Sequence, residues 1–148
     1  MGCSADKTAM VIDLGANGAP AQKIAVHDSP IKSAKFAEVS GTEILVTGSW
    51  DRTIKYWDMR SPNPVGTVQF SERVYAMDVK DKLLVVALAD LQIAAINLDS
   101  PGVVYKNIAS PLKHQTRAVT CFKEADGFMI ASIEARCAFQ HIDAKDSK

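Results

Sequence analysis

The sequence lacks the short motifs that mark most enzymes. It contains neither a Gly-x-x-x-x-Gly-Lys loop nor a Gly-x-Gly-x-x-Gly pattern, the two arrangements whose backbone amides bind phosphates and dinucleotides. Its three histidines, His27, His114 and His141, have no spacing typical of metal ligands. The sequence therefore predicts a protein with no enzymatic activity, no metal, no cofactor and no small-molecule substrate.

Other absences limit where the protein acts. No apolar run approaches the roughly 20 residues of a membrane helix, and residues 1–6 lack the basic and apolar regions of a signal peptide. Cys3, Cys121 and Cys137 are odd in number and far apart, which favours a reduced nuclear or cytosolic compartment over a disulfide framework. Lysine plus arginine and aspartate plus glutamate number 17 each, so a surface that coats nucleic acid is not expected.

What the sequence does contain is a hairpin pattern at residues 48–59. An apolar run at 44–47 leads into the polar turn Trp50-Asp51-Arg52, and Thr53-Ile54-Lys55-Tyr56-Trp57 follows. β-Branched and aromatic residues on both sides of a short turn are typical of two paired strands. The Trp57-Asp58 pair that ends the second strand recurs in propeller blades.

The hairpin pattern recurs along the chain. Superposed on the turn residue Asp51, the other copies carry Asp6, Asp90 and Glu134, at successive separations of 45, 39 and 44 residues. These periods bracket the ~40–45 residues of a four-stranded WD blade. Further strands are predicted between the hairpins, at 22–26, 31–36, 66–70, 73–79, 103–108 and 117–122.

No window shows helical periodicity with caps. The sequence therefore predicts an all-β WD40 β-propeller, present in part: about three to three and a half blades of a presumed seven-bladed ring. Within residues 1–148 we expect the end of a blade at 1–27, blades at 28–70 and 71–108, and an incomplete blade at 109–148. Because an open ring exposes sheet edges, we expect a fragment that aggregates; a monodisperse, cooperatively melting monomer would contradict this.

A constellation of four residues stands out: His27, Ser49, Asp51 and Trp57. In a WD blade such residues form a buried tetrad, in which aspartate holds histidine, histidine meets serine and serine meets the indole N–H. The same Ser, His and Asp could suggest nucleophilic catalysis. However, Ser49 lies inside a strand and no nucleophile elbow is present, so we expect a network that rigidifies the blade.

One face of such a propeller carries the turns within the hairpins and the loops before the innermost strands. We predict a partner-binding surface there, formed by Trp50, Arg52, Arg73, Lys113 and Arg117. An exposed tryptophan among arginines has the composition of a protein-interface hot spot. The alternative is a tryptophan laid over the neighbouring blade with solvated arginines around it. RNA phosphates are a secondary candidate partner.

The chain also resembles a known family, the poly(A)+ RNA export WD-repeat factors of the nuclear pore. The resemblance is carried by residues 48–64, 27–32, 110–115 and 131–134, in matching order and spacing. It implies a non-enzymatic adaptor that binds a short nucleoporin segment on the propeller face and takes part in mRNA export. It also implies contacts with mitotic spindle components, and location in the nucleus, at the nuclear pore and nuclear envelope, with cytoplasmic shuttling.

Two alternatives stay open. The mitotic-checkpoint WD-repeat proteins, which bind related segments in checkpoint kinases, share the neighbourhoods of residues 113–117 and 132–134; Asn63-Pro64, Pro111 and His114 favour the export factors. Both families carry glycine where this chain has Ala135. Trp57-Asp58-Met59-Arg60 resembles the docking signature of substrate receptors of cullin-RING ubiquitin ligases, which implies adaptor docking through Trp57, Asp58 and Arg60.

Overall fold

A computed structural model of the chain describes residues 2–3, 5–13, 15, 18 and 20–142. In these residues every regular element is a strand. The same residues contain no helix that could cross a membrane. The strands are β1 (Gly2–Cys3), β2 (Thr8–Val11), β3 (Gln22–Val26), β4 (Ile31–Val39), β5 (Thr42–Ser49), β6 (Thr53–Trp57), β7 (Gly66–Gln69), β8 (Val74–Lys80), β9 (Leu83–Leu88), β10 (Gln92–Asn97), β11 (Val104–Ala109), β12 (Thr116–Cys121), β13 (Gly127–Ser132) and β14 (Cys137–His141).

The strands form four consecutive antiparallel sheets in simple up-and-down order. Their orders are β1-β2-β3, β4-β5-β6-β7, β8-β9-β10-β11 and β12-β13-β14. The predicted all-β fold with a partial propeller is confirmed. The two four-stranded sheets span 31–69 and 74–109, and the division of the chain into blades at 28–70 and 71–108 remains a prediction.

Successive sheets pack face to face through apolar side chains. Strand β9 is an unbroken apolar run with every residue buried, because both of its faces are covered. Leu84 and Val86 point into the cluster shared with the preceding sheet, while Val85 and Ala87 point into the cluster shared with Phe128 of the following sheet. The alternation of side chains along one strand thus supplies two interfaces.

The innermost strands β4, β8 and β12 lie side by side, and Asp78 of β8 joins them. Its Oδ1 pairs with Lys35 Nζ of β4 at 3.0 Å, and its Oδ2 accepts a hydrogen bond from Cys121 N of β12 at 2.9 Å. Burial, with the nearby Asp78 carboxylate, raises the pKa of the Cys121 thiol to about 12. One carboxylate therefore ties three successive sheets together.

Candidate functional site

The Asp51 turn connects β5 to β6 and fixes the carboxylate that holds His27. Asp51 Oδ1 accepts hydrogen bonds from Thr53 N at 3.0 Å and Thr53 Oγ1 at 2.6 Å. Arg52, between them, has a φ of 69°, in the left-handed region that a tight turn requires. Asp51 Oδ2 remains directed at the histidine, and it also accepts a bond from Asp28 N at 3.1 Å.

From this carboxylate a buried hydrogen-bond network runs to Trp57. His27 Nδ1 lies 2.8 Å from Asp51 Oδ2, and His27 Nε2 lies 2.7 Å from Thr47 Oγ1. Trp57 Nε1 donates to the same Thr47 Oγ1 at 2.8 Å. With the ring neutral, Nδ1–H donates to aspartate and the threonine hydroxyl donates to Nε2. Each polar group of the network thereby finds a partner.

The prediction that Ser49 joins this network is wrong, because Thr47 occupies that position. Both residues are on the same face of β5, but Ser49 lies two residues further along, roughly 7 Å away. Ser49 Oγ donates towards Ser29 O and Pro30 O, each at 3.0 Å, and accepts from Asp51 N at 3.2 Å. Ser49 therefore fastens the loop before β4 to the Asp51 turn.

Burial sets the protonation of the network. It lowers the pKa of His27 below 6.5, against the opposing effect of Asp51. Burial alone would raise the pKa of Asp51, but hydrogen bonds from Thr53 and His27 hold it below its usual value. The Thr47 and Ser49 hydroxyls are fully buried, so neither is accessible to a substrate.

The other copies of the turn share its backbone but only part of its side chains. Lys7, Leu91 and Ala135, each directly after the acidic residue of its copy, have φ values of 71°, 64° and 60°. Arg52 occupies the same position in the second copy. Asp6 and Asp90 each cap the residue two positions on, through Thr8 N at 3.0 Å and Gln92 N at 3.2 Å. Ser4, at the position that corresponds to Ser49 in this copy, lies outside the described residues.

Trp50, beside the network but not part of it, is 40% exposed on the face that carries these turns. Its ring makes an edge contact with Tyr75, with centroids 6.4 Å apart, and the Arg73 guanidinium lies 5.8 Å from its centroid. A cleft of about 50 Å³ adjoins it, lined by Lys32, Trp50, Tyr75, Gln115, Thr116 and Arg117. The tryptophan ring therefore packs against the neighbouring sheet on one side and is exposed to solvent on the other.

We call Trp50, Lys32, Arg73, Tyr75 and Arg117 the Trp50 surface. The structure thus brings together three of the five residues predicted for the partner-binding face. Arg52 and Lys113 are exposed and do not line the cleft. Lys32 and Tyr75 were missed because only the packing of β4 and β8 against each other shows that they meet Trp50.

The residues of the predicted ligase-docking signature differ in how far they are exposed to a partner. Trp57 is only 3% exposed, so it cannot contact a partner directly. Arg60 forms a bidentate pair with Asp58, at 3.0 Å through Nε and 2.7 Å through Nη2. These bonds lower the pKa of Asp58 to about 2.

Within the described part of the chain, no group of three potential ligands could hold a metal ion.

No protein-family model matches the chain, but curated proteins do. The chain is 55% identical to the mRNA export factor GLE2 of Chaetomium thermophilum over 142 residues, 96% of this chain and 39% of that protein. It is 48% identical to the Poly(A)+ RNA export protein of Schizosaccharomyces pombe, covering 97% of this chain and 41% of that protein. The WD40 repeat protein poxJ of Penicillium oxalicum is 46% identical, with coverages of 99% and 43%. The chain spans about two fifths of the length of these relatives.

Proposed function

Because the chain is a close homologue, over nearly its whole length, of WD-repeat mRNA export factors, we propose that the protein is a non-enzymatic adaptor in nuclear mRNA export. The 55% identity to the Chaetomium thermophilum export factor is the observation that carries this proposal. The burial of Thr47 and Ser49 supports it, since a structural network leaves no hydroxyl open to a substrate. The proposed location is the nucleus and its pores, with shuttling to the cytoplasm.

The adaptor binds a short nucleoporin segment through the Trp50 surface. A partly exposed tryptophan whose ring is held by an arginine and a tyrosine is a preorganised aromatic anchor. Lys32, Arg73 and Arg117 lie around it in a neutral chain. Glu72 Oε2 lies 3.9 Å from Arg73 Nε and offsets one of these charges, so the patch keeps a net positive charge. Such a patch attracts an acidic segment and speeds its association. RNA and mitotic checkpoint kinases are the secondary candidate partners.

The test is a pull-down of the nucleoporin segment by the protein and by its Trp50→Ala variant. We expect capture by the parent and a loss of affinity of at least about thirtyfold in the variant, as for a hot-spot residue. Phe139→Ala is the matched control, since Phe139 is 71% exposed on β14 and lies outside the Trp50 surface. Both variants should keep the parent's unfolding midpoint within a few degrees, roughly the range of a surface change.

A checkpoint-kinase segment is assayed in parallel. Preference for the kinase segment would replace the export role by the checkpoint role. Equal loss of binding in Trp50→Ala and Phe139→Ala would remove the Trp50 surface as the binding site. Failure of the parent to capture either segment would contradict the adaptor proposal itself.

A further inference from the structure

Two of the four Ser-Pro dipeptides in the chain carry a lysine three residues after the serine. They are Ser29-Pro30-Ile31-Lys32 and Ser110-Pro111-Leu112-Lys113. Ser61-Pro62 and Ser100-Pro101 lack the lysine. Ser29 and Ser110 both lie in loops that precede innermost strands, Ser29 two residues before β4 and Ser110 six residues before β12. The other two lie in the loops that follow the hairpin strands β6 and β10.

We propose that Ser29 and Ser110 are phosphorylated by a proline-directed protein kinase, and that phosphate at these positions weakens partner binding at the Trp50 surface. A kinase of this class accepts proline directly after the serine, where no backbone N–H is available. The lysine two residues beyond the proline suits a kinase whose substrate groove carries acidic side chains, through charge complementarity. The modification site does not depend on the proposed function; its effect on binding does.

The step is an ordinary phosphoryl transfer from ATP. The serine Oγ forms a bond to the γ-phosphorus while the bond from that phosphorus to the β,γ-bridging oxygen breaks, and ADP leaves. The hydroxyl proton passes to the catalytic carboxylate of the kinase, with Mg²⁺ neutralising the phosphates. Each serine then carries a charge of about −1.5 to −2 at neutral pH.

Both serines are half-buried, with neighbours that are held in place. Ser29 O and Pro30 O accept bonds from Ser49 Oγ at 3.0 Å each, so the backbone at the site is fixed to β5. Ser110 Oγ accepts only a bond from Leu112 N at 3.1 Å. Pro111 and Lys113 next to it are exposed. Neither serine hydroxyl belongs to the buried network of His27.

The loops that carry these serines lead directly to the Trp50 surface. Pro30 O accepts a hydrogen bond from Trp50 N at 3.1 Å, and Lys32 lines the adjoining cleft. Gln115, five residues after Ser110, lines the same cleft beside Arg117. A phosphate dianion interacts with these cations through solvent, where charges are screened over a Debye length of about 8 Å. It cancels the positive charge that attracts an acidic partner, and binding therefore weakens.

The first experiment incubates the full chain with ATP and a recombinant proline-directed kinase, and maps phosphate by mass spectrometry over time. We expect Ser29 and Ser110 to be labelled at least about fivefold faster than Ser61 and Ser100, a difference of about one charge-pair interaction. Lys32→Ala and Lys113→Ala should each slow only their own site. Ser61 and Ser100 are internal controls with the same Ser-Pro dipeptide.

Two results would overturn the modification site. One is equal labelling of all four serines; the other is no labelling of Ser29 and Ser110 while the same enzyme labels histone H1. The kinase could instead label a partly unfolded chain. The unfolding midpoint of the protein and the labelling of the Ser49→Ala variant test this alternative. If labelling required loss of the loop's attachment, Ser49→Ala would accelerate it at Ser29 alone, and the native-state proposal would fail for that serine.

The second experiment compares the nucleoporin segment's affinity for unmodified and phosphorylated protein. We expect phosphorylation to weaken binding about fivefold or more, within the usual range of coupling between a modification and a ligand. In the double variant Ser29→Ala/Ser110→Ala, incubation with the kinase should leave the affinity unchanged. Unchanged affinity would overturn the regulatory effect. If the unmodified protein does not bind the segment, the proposed function fails, and the phosphorylation result is judged by mass spectrometry alone.

Discussion

Thr47 is the residue through which the His27 ring and the Trp57 indole are joined. Its hydroxyl lies 2.7 Å from His27 Nε2 and 2.8 Å from Trp57 Nε1, and the side chain is completely buried. A hydroxyl both accepts and donates, so one small side chain satisfies two ring nitrogens. Without it, both nitrogens would remain buried and unpaired.

We expect Thr47→Val to lower the free energy of unfolding by about 1–3 kcal/mol, because valine keeps the shape but leaves buried polar groups without partners. Chemical denaturation measures the loss. The matched control is Thr67→Val on β7, since Thr67 is exposed, and it should change stability by less than about 0.5 kcal/mol. Equal losses in the two variants would show that the Thr47 hydroxyl contributes nothing.

The same network makes stability depend on pH. Because burial lowers the pKa of His27 in the folded protein, the unfolded chain takes up that proton more readily. The stability that neutral His27 contributes is fully present above pH 6.5, the ordinary histidine pKa. It is lost as the pH falls below that value. Below pH 3.8 the lowered pKa of Asp51 adds a further loss in the same direction.

Thermal unfolding between about pH 7.5 and pH 5 tests this dependence. The midpoint should fall with pH in the parent, and fall less steeply in His27→Gln, which removes the titrating ring. His141→Gln is the control, since His141 is exposed on β14. An identical slope in the parent and His27→Gln would assign the pH dependence to other groups.

Among the strands and turns, the four copies of the Asp51 turn each place a residue of positive φ at the same position, with different side chains around it. Lys7, Arg52, Leu91 and Ala135 all lie in the left-handed region, although none is glycine. For a residue with a Cβ, this region costs roughly 1 kcal/mol. In the first three copies an aspartate precedes the residue and caps the turn. The copy at Ala135 has Glu134 instead, whose N–H reaches Ser132 Oγ at 3.4 Å.

Ala135→Gly should therefore raise the free energy of unfolding by about 0.5–1 kcal/mol, since glycine adopts a φ of 60° without steric cost. Ala138→Gly on β14 is the matched control, because the same substitution inside a strand should lower stability by about 0.5–1 kcal/mol. Denaturant titration gives both values. A loss in both variants would mean that backbone entropy outweighs the relief of strain at the turn.

The second and third sheets approach so closely that one position between them has no room for a side chain. A Cβ at Gly48 of β5 would lie 2.7 Å from Val74 Cγ1 and 3.2 Å from Met77 Sδ, both on β8. The two strands belong to different sheets, so this contact fixes the spacing of the second and third sheets. Glycine is required there by space and not by a positive φ.

Gly48→Ala should cost about 1–3 kcal/mol by overpacking this interface. In a Gly48→Ala/Val74→Ala double variant the two losses should be less than additive, because removing the valine methyls makes room for the new one. Gly102→Ala, which meets no atom within 4 Å, should be neutral within about 0.5 kcal/mol. Strict additivity in the double variant would disprove the close contact.

The strands, their order and the turn that repeats could be predicted from the sequence, because they depend on local alternation and on spacing along the chain. The separations between Asp6, Asp51, Asp90 and Glu134 already predicted stacked sheets of short strands. The likeness to a WD blade also predicted that His27, Asp51 and Trp57 act as a group. It placed Ser49 in that group and missed Thr47, because the two residues share one face of β5 and one chemistry.

The tertiary structure selects which hydroxyl meets His27, because the register of β5 against β6 places Trp57 opposite Leu45, two residues from Thr47 and four from Ser49. It also decided that Lys32 and Tyr75 join Trp50 while Arg52 and Lys113 do not line the same cleft. These contacts join different sheets, and their geometry depends on how closely β4, β5 and β8 pack. Strand alternation sets the face on which a side chain lies, whereas packing between sheets sets the atoms that it meets.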